Sequence, residues 1–233
     1  MSTTALSCGN VDRAARPDGD GVRWFDLPAA PGREELDPLL ADASDRLVVH
    51  GTDADLAAVV LRLLRKNRLA DLVVGYVPVA PSPAARLWGL TVGDFERALT
   101  AEPRPAALVR DDAGGVLVGS GVIEPITGQV YCDDELVLNG SALTLSVSPD
   151  PDAAPLPEPT SDPLSTTLEP ATDGLRVTVV RRGLWRRRRD VARGRAAQAS
   201  FRSATVLRDG VAHPRPVEKW VWYRHTEDLQ VAR

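Results

Sequence analysis

Gly51-Thr52-Asp53 follows a β-branched run and precedes a strongly periodic helix, so the residues His50 to Asp55 form a turn able to present amides and a carboxylate to a ligand. Amides at a helix N-terminus point outward and favour anions, which makes such a turn a candidate phosphate site; a plain connecting turn is the alternative. The stretch 176–195 carries nine arginines against one acid, Asp190. Within it Arg186, Arg187, Arg188 and Arg189 adjoin Trp185, a pattern suited to the phosphates of an anionic lipid surface or, less readily, of nucleic acid. The alternative is a solvated hairpin tip balanced by acids elsewhere. Asp133-Asp134-Glu135 offers oxygen ligands for Mg²⁺, or a turn between strands. His50, His213 and His225 are scattered without zinc spacing, so no metal site is expected. Acids beside Cys132 should raise its pKa and make it a poor nucleophile.

These groups need a scaffold, and the hydropathy pattern supplies one. Leu56, Val59, Val60, Leu63 and Leu64 recur at helical spacing, with Arg62, Arg65, Lys66 and Arg68 on or near the other face. Thr52 or Asp53 can cap the first turn. Buried strands flank this helix at Arg46–His50 and Asp71–Val77, giving a β-α-β unit on a parallel sheet. Val22–Leu27 reads as a short strand and Arg33–Ala43 as a short helix, with further helices over Ala84–Gly89 and Gly93–Ala101. From about Ala106 the pattern becomes short runs separated by Gly, Asp or Asn, as in an antiparallel β domain. Trp220, Trp222 and Tyr223 read as a packed strand. The expected organisation is a flexible tail over 1–21, an α/β domain over 22–105 and a β-rich domain over 106–233. Seven prolines and six acids mark 149–173 as an exposed insertion.

Val48 to Leu64 followed by Val74 to Leu90 resembles the nucleotide-binding domain of the diacylglycerol kinase and lipid kinase family, related to NAD kinases. Gly51 and Asp53 match the first Gly and the Asp of the family's G-G-D-G-T turn, and Pro78 matches the proline before its second loop. Ala85-Arg86-Leu87-Trp88-Gly89-Leu90 is similar to the A-R-x-x-G-L helix end. Asp173-Gly174-Leu175 with Val177, Val179 and Val180 is similar to a D-G-L-L-D-V-V-V strand, and Asp209-Gly210 to the start of a D-G-E motif. The resemblance implies ATP and Mg²⁺ as cofactors and phosphoryl transfer to a lipid or small-molecule hydroxyl. Gly51, Thr52 and Asp53 would then bind nucleotide, and Asp53 and Asp209 would serve catalysis.

The departures from those motifs carry their own expectation. Thr52 and Ala54 replace glycines that let backbone approach phosphate without a Cβ, and Asp55 replaces the threonine with a carboxylate. Pro81 and Pro83 remove amides from the second loop, and Val211 stands at the Glu position of D-G-E. Residues before Val22 are too few for the family's first strand and its phosphate-side loop. A catalytically inactive binding or regulatory module that kept the fold is therefore the rival to an active kinase.

Composition sets outer bounds. The 233 residues are 43% hydrophobic and 26% charged, a globular balance, with a net charge of −4 that points away from nucleic acid. No apolar run approaches the ~18 residues of a membrane span. The start lacks a signal-peptide core, and Cys8 and Cys132 lie far apart, which favours a reducing, cytoplasmic setting.

Overall fold

A computed structural model describes residues 3–14, 16–17, 21–43, 45–156, 173–183 and 186–233. Trp185 and most of the proline-rich insertion, 157–172, lie outside the described residues. The first half runs β1 (Thr3–Cys8), β2 (Val22–Leu27), α1 (Arg33–Asp42), β3 (Arg46–Gly51), α2 (Asp53–Arg65), β4 (Val73–Pro78), α3 (Pro83–Trp88), α4 (Phe95–Thr100) and β5 (Pro103–Ala106). The second half is all strand: β6 (Val109–Asp111), β7 (Val116–Leu117), β8 (Gly121–Ile123), β9 (Ile126–Cys132), β10 (Glu135–Ala142), β11 (Thr144–Pro149), β12 (Leu175–Arg181), β13 (Arg188–Gly194), β14 (Ala196–Ala204), β15 (Val206–Arg208), β16 (Val211–Ala212), β17 (Val217–Arg224) and β18 (Leu229–Ala232).

The architecture is α/β, as the pattern predicts. A first sheet has the order β2-β1-β3-β4-β18-β5, with β1 to β4 mutually parallel and β18 parallel to β4. The apolar stripe of α2 explains its place: Leu56, Val59, Val60 and Leu63 bury against Leu6, Val49 and Val74 of the sheet and Leu36 and Leu40 of α1. On the other face, Phe95 and Ala98 of α4 close over Ala5, Val48 and Val77. The remaining strands form two antiparallel sheets, β10-β9-β14-β17-β6-β7 and β13-β12-β11-β8-β15-β16. Their inner faces share one core containing Val130, Ala199, Trp220 and Trp222 on one side and Leu145, Val177 and Val179 on the other.

The flexible tail expected over 1–21 is corrected for its first part. Thr3–Cys8 is a fully buried strand between β2 and β3. The family-like first strand judged to have no room is therefore present. The chain ends also differ from the expected partition, because β18 crosses back and inserts between β4 and β5. The described start of the acidic insertion is not simply exposed either. Asp150 is buried and receives Arg176 and Arg193, each at 2.8 Å.

Candidate functional site

At the C-terminal end of β3 the chain turns through Gly51 and enters α2 with Thr52 as N-cap, in extended conformation. The Thr52 hydroxyl accepts the Asp55 N–H at 3.3 Å, and Asp55 Oδ2 accepts the Thr52 N–H and the Thr52 hydroxyl, each at 2.8 Å. This is a capping box with Asp in the acidic position. A third donor arrives from elsewhere in sequence: the Ala30 N–H reaches Asp55 Oδ1 at 2.6 Å, from a residue held at φ +46°. The Asp55 residue is only 2% exposed. A Cβ on Gly51 would stand 2.7 Å from Asp55 Oδ2, so the glycine that the motif reserves for close approach serves the chain's own carboxylate. The N-terminus of α2 thus already holds an anion, favoured there by the helix dipole. Nearby, burial and then the Asp55 charge push the Cys8 thiol up to about 12.

Asp53 faces a different way. Its Oδ1 accepts the Tyr76 phenol at 2.9 Å and the Ser82 hydroxyl at 2.6 Å, and its Oδ2 accepts the Ala84 N–H at 3.0 Å. Ser82 is the N-cap of α3, and Pro83 occupies the first turn, where its missing N–H costs nothing. Asp53 therefore ties the turn after β3 to the loop after β4. Burial, followed by the Asp53 charge, raises the Tyr76 phenol well above its ordinary range and keeps it a donor.

Asp209 approaches from the β sandwich. Asp209 and Gly210 form the two-residue turn between β15 and β16, both at positive φ, +46° and +84°. The Asp209 carboxylate accepts Val118 N–H at 3.1 Å, Gly119 N–H at 2.7 Å and Ser120 N–H at 2.9 Å. Burial lifts its pKa to about 7 against the pull of those three amides, and the Asp53 charge adds to the rise. Gly119 separates the two acids: a Cβ there would stand 2.7 Å from Asp53 Oδ2 and 3.0 Å from Asp209 Oδ1.

The turn, the loop after β4 and the β15–β16 turn enclose a cleft of about 320 Å³. Gly51, Thr52, Asp53 and Asp209 all line it, so the structure brings these four sequence candidates together. Tyr76, Ser82 and Ser120 also line it, and sequence reasoning missed them. The remaining wall is largely apolar, from Val79, Ala80, Pro81, Pro83, Val122 and Leu207, and among the described residues it includes no Lys, Arg or His. The groups lining the cleft offer few free donors to a polyphosphate, and its acids are already engaged by protein donors. The Thr52 N–H and hydroxyl are spent on Asp55, Pro81 and Pro83 offer no amide, and both cleft acids spend both oxygens on protein donors. Polyphosphate would meet carboxylates with no cation in the wall. Among the described residues no group of three or more His, Cys, Asp or Glu side chains comes together as a metal cage.

The other candidates lie apart from the cleft. Arg186, Arg187, Arg188 and Arg189 are exposed at the end of the β12–β13 hairpin, where Arg188 pairs with Asp190 at 2.9 Å. Asp133, at φ +49°, forms the β9–β10 turn and accepts Arg195 N–H at 3.0 Å and Ala196 N–H at 2.9 Å, consistent with the turn reading of the acidic cluster. Burial and then Asp133 push the Cys132 thiol up to about 12. His50 is buried edge-on against Phe95, with ring centroids 5.0 Å apart, and burial lowers its pKa. No helix among the described residues is long and apolar enough to cross a membrane.

No protein-family model and no curated protein matches the sequence. Solved structures do match the fold. A diacylglycerol kinase from Bacillus anthracis str. Sterne superposes with a TM-score of 0.63 at 10% identity, over 99% of this chain and 96% of that one. An NAD kinase from Archaeoglobus fulgidus in complex with ATP gives 0.54 at 12% identity, over 99% and 93%. Yeast NADH kinase complexed with NADH gives 0.53 at 12%, over 99% and 83%. The chain thus has the two-part fold of diacylglycerol kinases and NAD kinases.

Proposed function

We propose that the chain is a non-catalytic binding module built on the diacylglycerol kinase and NAD kinase fold, with its phosphate seat filled from within. The observation that carries this reading is the Asp55 carboxylate, buried on three donors from Thr52 and Ala30. The Thr52 amide that holds this fixed carboxylate is not open to a mobile anion, and the fixed charge repels a second. The cleft that remains is apolar with satisfied acids, and it suits an uncharged, hydroxyl-bearing ligand better than a nucleotide triphosphate.

A second reading is ATP-dependent phosphoryl transfer to a lipid or small-molecule hydroxyl. It is favoured by one feature, the Asp209 carboxyl, whose pKa of about 7 is where a general base works best. Calorimetry with ATP and Mg²⁺ on the full chain and on Asp53→Ala separates the two. The binding-module reading expects no heat of binding up to ~1 mM ATP, a binding free energy no stronger than about −4 kcal/mol. Micromolar binding that Asp53→Ala abolishes would overturn it in favour of the kinase.

A further inference from the structure

A second pocket, of about 420 Å³, lies at the far end of α2 from Asp55, about 15 Å along the helix. Arg65 and Asn67 contribute to it from the end of α2, Arg110 from β6, and His225 and Glu227 from the turn between β17 and β18. Unlike the cleft, it is polar and carries two guanidinium groups. No carboxylate lies within ion-pair distance of Arg65 or Arg110 among the described residues, although the chain pairs Arg62 and Lys66 next door with Asp37. Arg110 is held in place rather than free to wander: its guanidinium lies 5.8 Å from the ring centroid of its cross-strand partner Tyr223. Its Nε is buried without a hydrogen-bond partner, a donor that costs stability while it stays unmet.

We infer that this pocket is a binding site for a small phosphomonoester, with Arg65 and Arg110 gripping the phosphate and Glu227 taking a hydroxyl of the ligand. Guanidinium forks match phosphate oxygens in pairs, and two of them give charge and direction together. The volume is that of a small-metabolite site. Glu227 opposes a bare anion and so selects one carrying a neighbouring hydroxyl donor. His225 completes the set. Burial and the Arg110 charge lower its pKa, while Asp228, the acid that raises it, is engaged by Arg224 at 2.9 Å. Arg65 across the pocket and Glu227 beside it are the remaining charges there. A dianion placed against Arg110 offsets the positive field and draws the imidazole towards protonation.

The test follows the His225 imidazole by NMR while glycerol 3-phosphate, inorganic phosphate and acetate are added to the full chain. Glycerol 3-phosphate is expected to shift the His225 signals, raise the pKa of the ring and bind more tightly than inorganic phosphate, with acetate weakest. Arg110→Gln and the exposed Arg65→Gln should each weaken binding roughly tenfold or more, the loss of a charge-assisted hydrogen bond. Arg65→Gln leaves the interior untouched and keeps the test valid if Arg110→Gln folds poorly. No shift at His225 up to ~10 mM glycerol 3-phosphate, or binding indifferent to both substitutions, overturns the proposal. Equal binding of the two phosphates overturns the role given to Glu227.

Discussion

The Ala30 N–H donates to the Asp55 carboxylate across 2.6 Å, joining the loop before α1 to the first turn of α2. This one bond fixes the chain's own charge beside the end of β3. Removing it should be measurable in stability. Asp55→Ala deletes the capping box and removes the acceptor of the Ala30 amide, at a cost of about 0.5–2 kcal/mol. Urea unfolding of the variant against wild type checks this. A change below ~0.5 kcal/mol would mean that the carboxylate is dispensable to the fold.

The same substitution should soften Cys8. Burial is the larger cause of its raised pKa and the Asp55 charge the smaller, so Asp55→Ala lowers the thiol pKa but leaves it above the ordinary range. Alkylation rate against pH reads the shift. An unchanged profile would separate the two residues electrically.

Asp209 should make stability fall as pH rises. Its carboxyl titrates at about 7 in the folded chain and near ~3.9 when unfolded. Between those values the folded state keeps a proton that the unfolded state has released. The stabilisation is complete below the unfolded value and is lost as pH climbs through the folded one, at about 1.4 kcal/mol per pH unit. Urea titrations at several pH values should show that slope in wild type relative to Asp209→Asn. Parallel curves for the two proteins would contradict it.

Gly119→Ala places a methyl between the two cleft acids, 2.7 Å from Asp53 Oδ2 and 3.0 Å from Asp209 Oδ1. Both are fixed by backbone donors and neither can swing away. A loss of about 1–3 kcal/mol is expected in thermal unfolding. A melting point equal to wild type would mean that the acids are less firmly held.

Arg186, Arg187, Arg188 and Arg189 are exposed, so replacing all four with Gln should change unfolding by less than ~0.5 kcal/mol. The same variant tests a role at anionic surfaces. Co-sedimentation with phosphatidylserine vesicles should drop if the arginines contact lipid, and unchanged binding removes that role.

Much of the fold was legible because α2 and its flanking strands carry their own signals. Leu56, Val59, Val60 and Leu63 mark one helix face by spacing alone, and they are buried together. Thr3–Cys8 was not legible. Its residues, Thr-Thr-Ala-Leu-Ser-Cys, include little β-branched hydrophobic content, and burial comes from lying between two partner strands. β18 has only four residues, and its place in the first sheet depends on a pairing with β4 more than 150 positions away in sequence. At the site, Gly51, Asp53 and Asp209 could be named from motif resemblance, and Asp55 could be seen as a charge in the wrong place. Its partner Ala30 has no side-chain signal. The three amides that hold Asp209 come from a segment about 90 residues earlier. Ser82 was legible in principle as Ser before Pro at a helix start, and Tyr76 as a polar-tipped residue in an otherwise aliphatic strand.

The most direct test of the filled seat is ATP binding by wild type beside a variant with the turn rewritten to the kinase motif, Thr52→Gly, Ala54→Gly and Asp55→Thr together. Removing the internal carboxylate and two Cβ atoms frees the amides of the turn. The account predicts no binding to wild type up to ~1 mM and at least a tenfold gain in the rewritten chain. Micromolar binding to wild type that the rewriting leaves unchanged would contradict it.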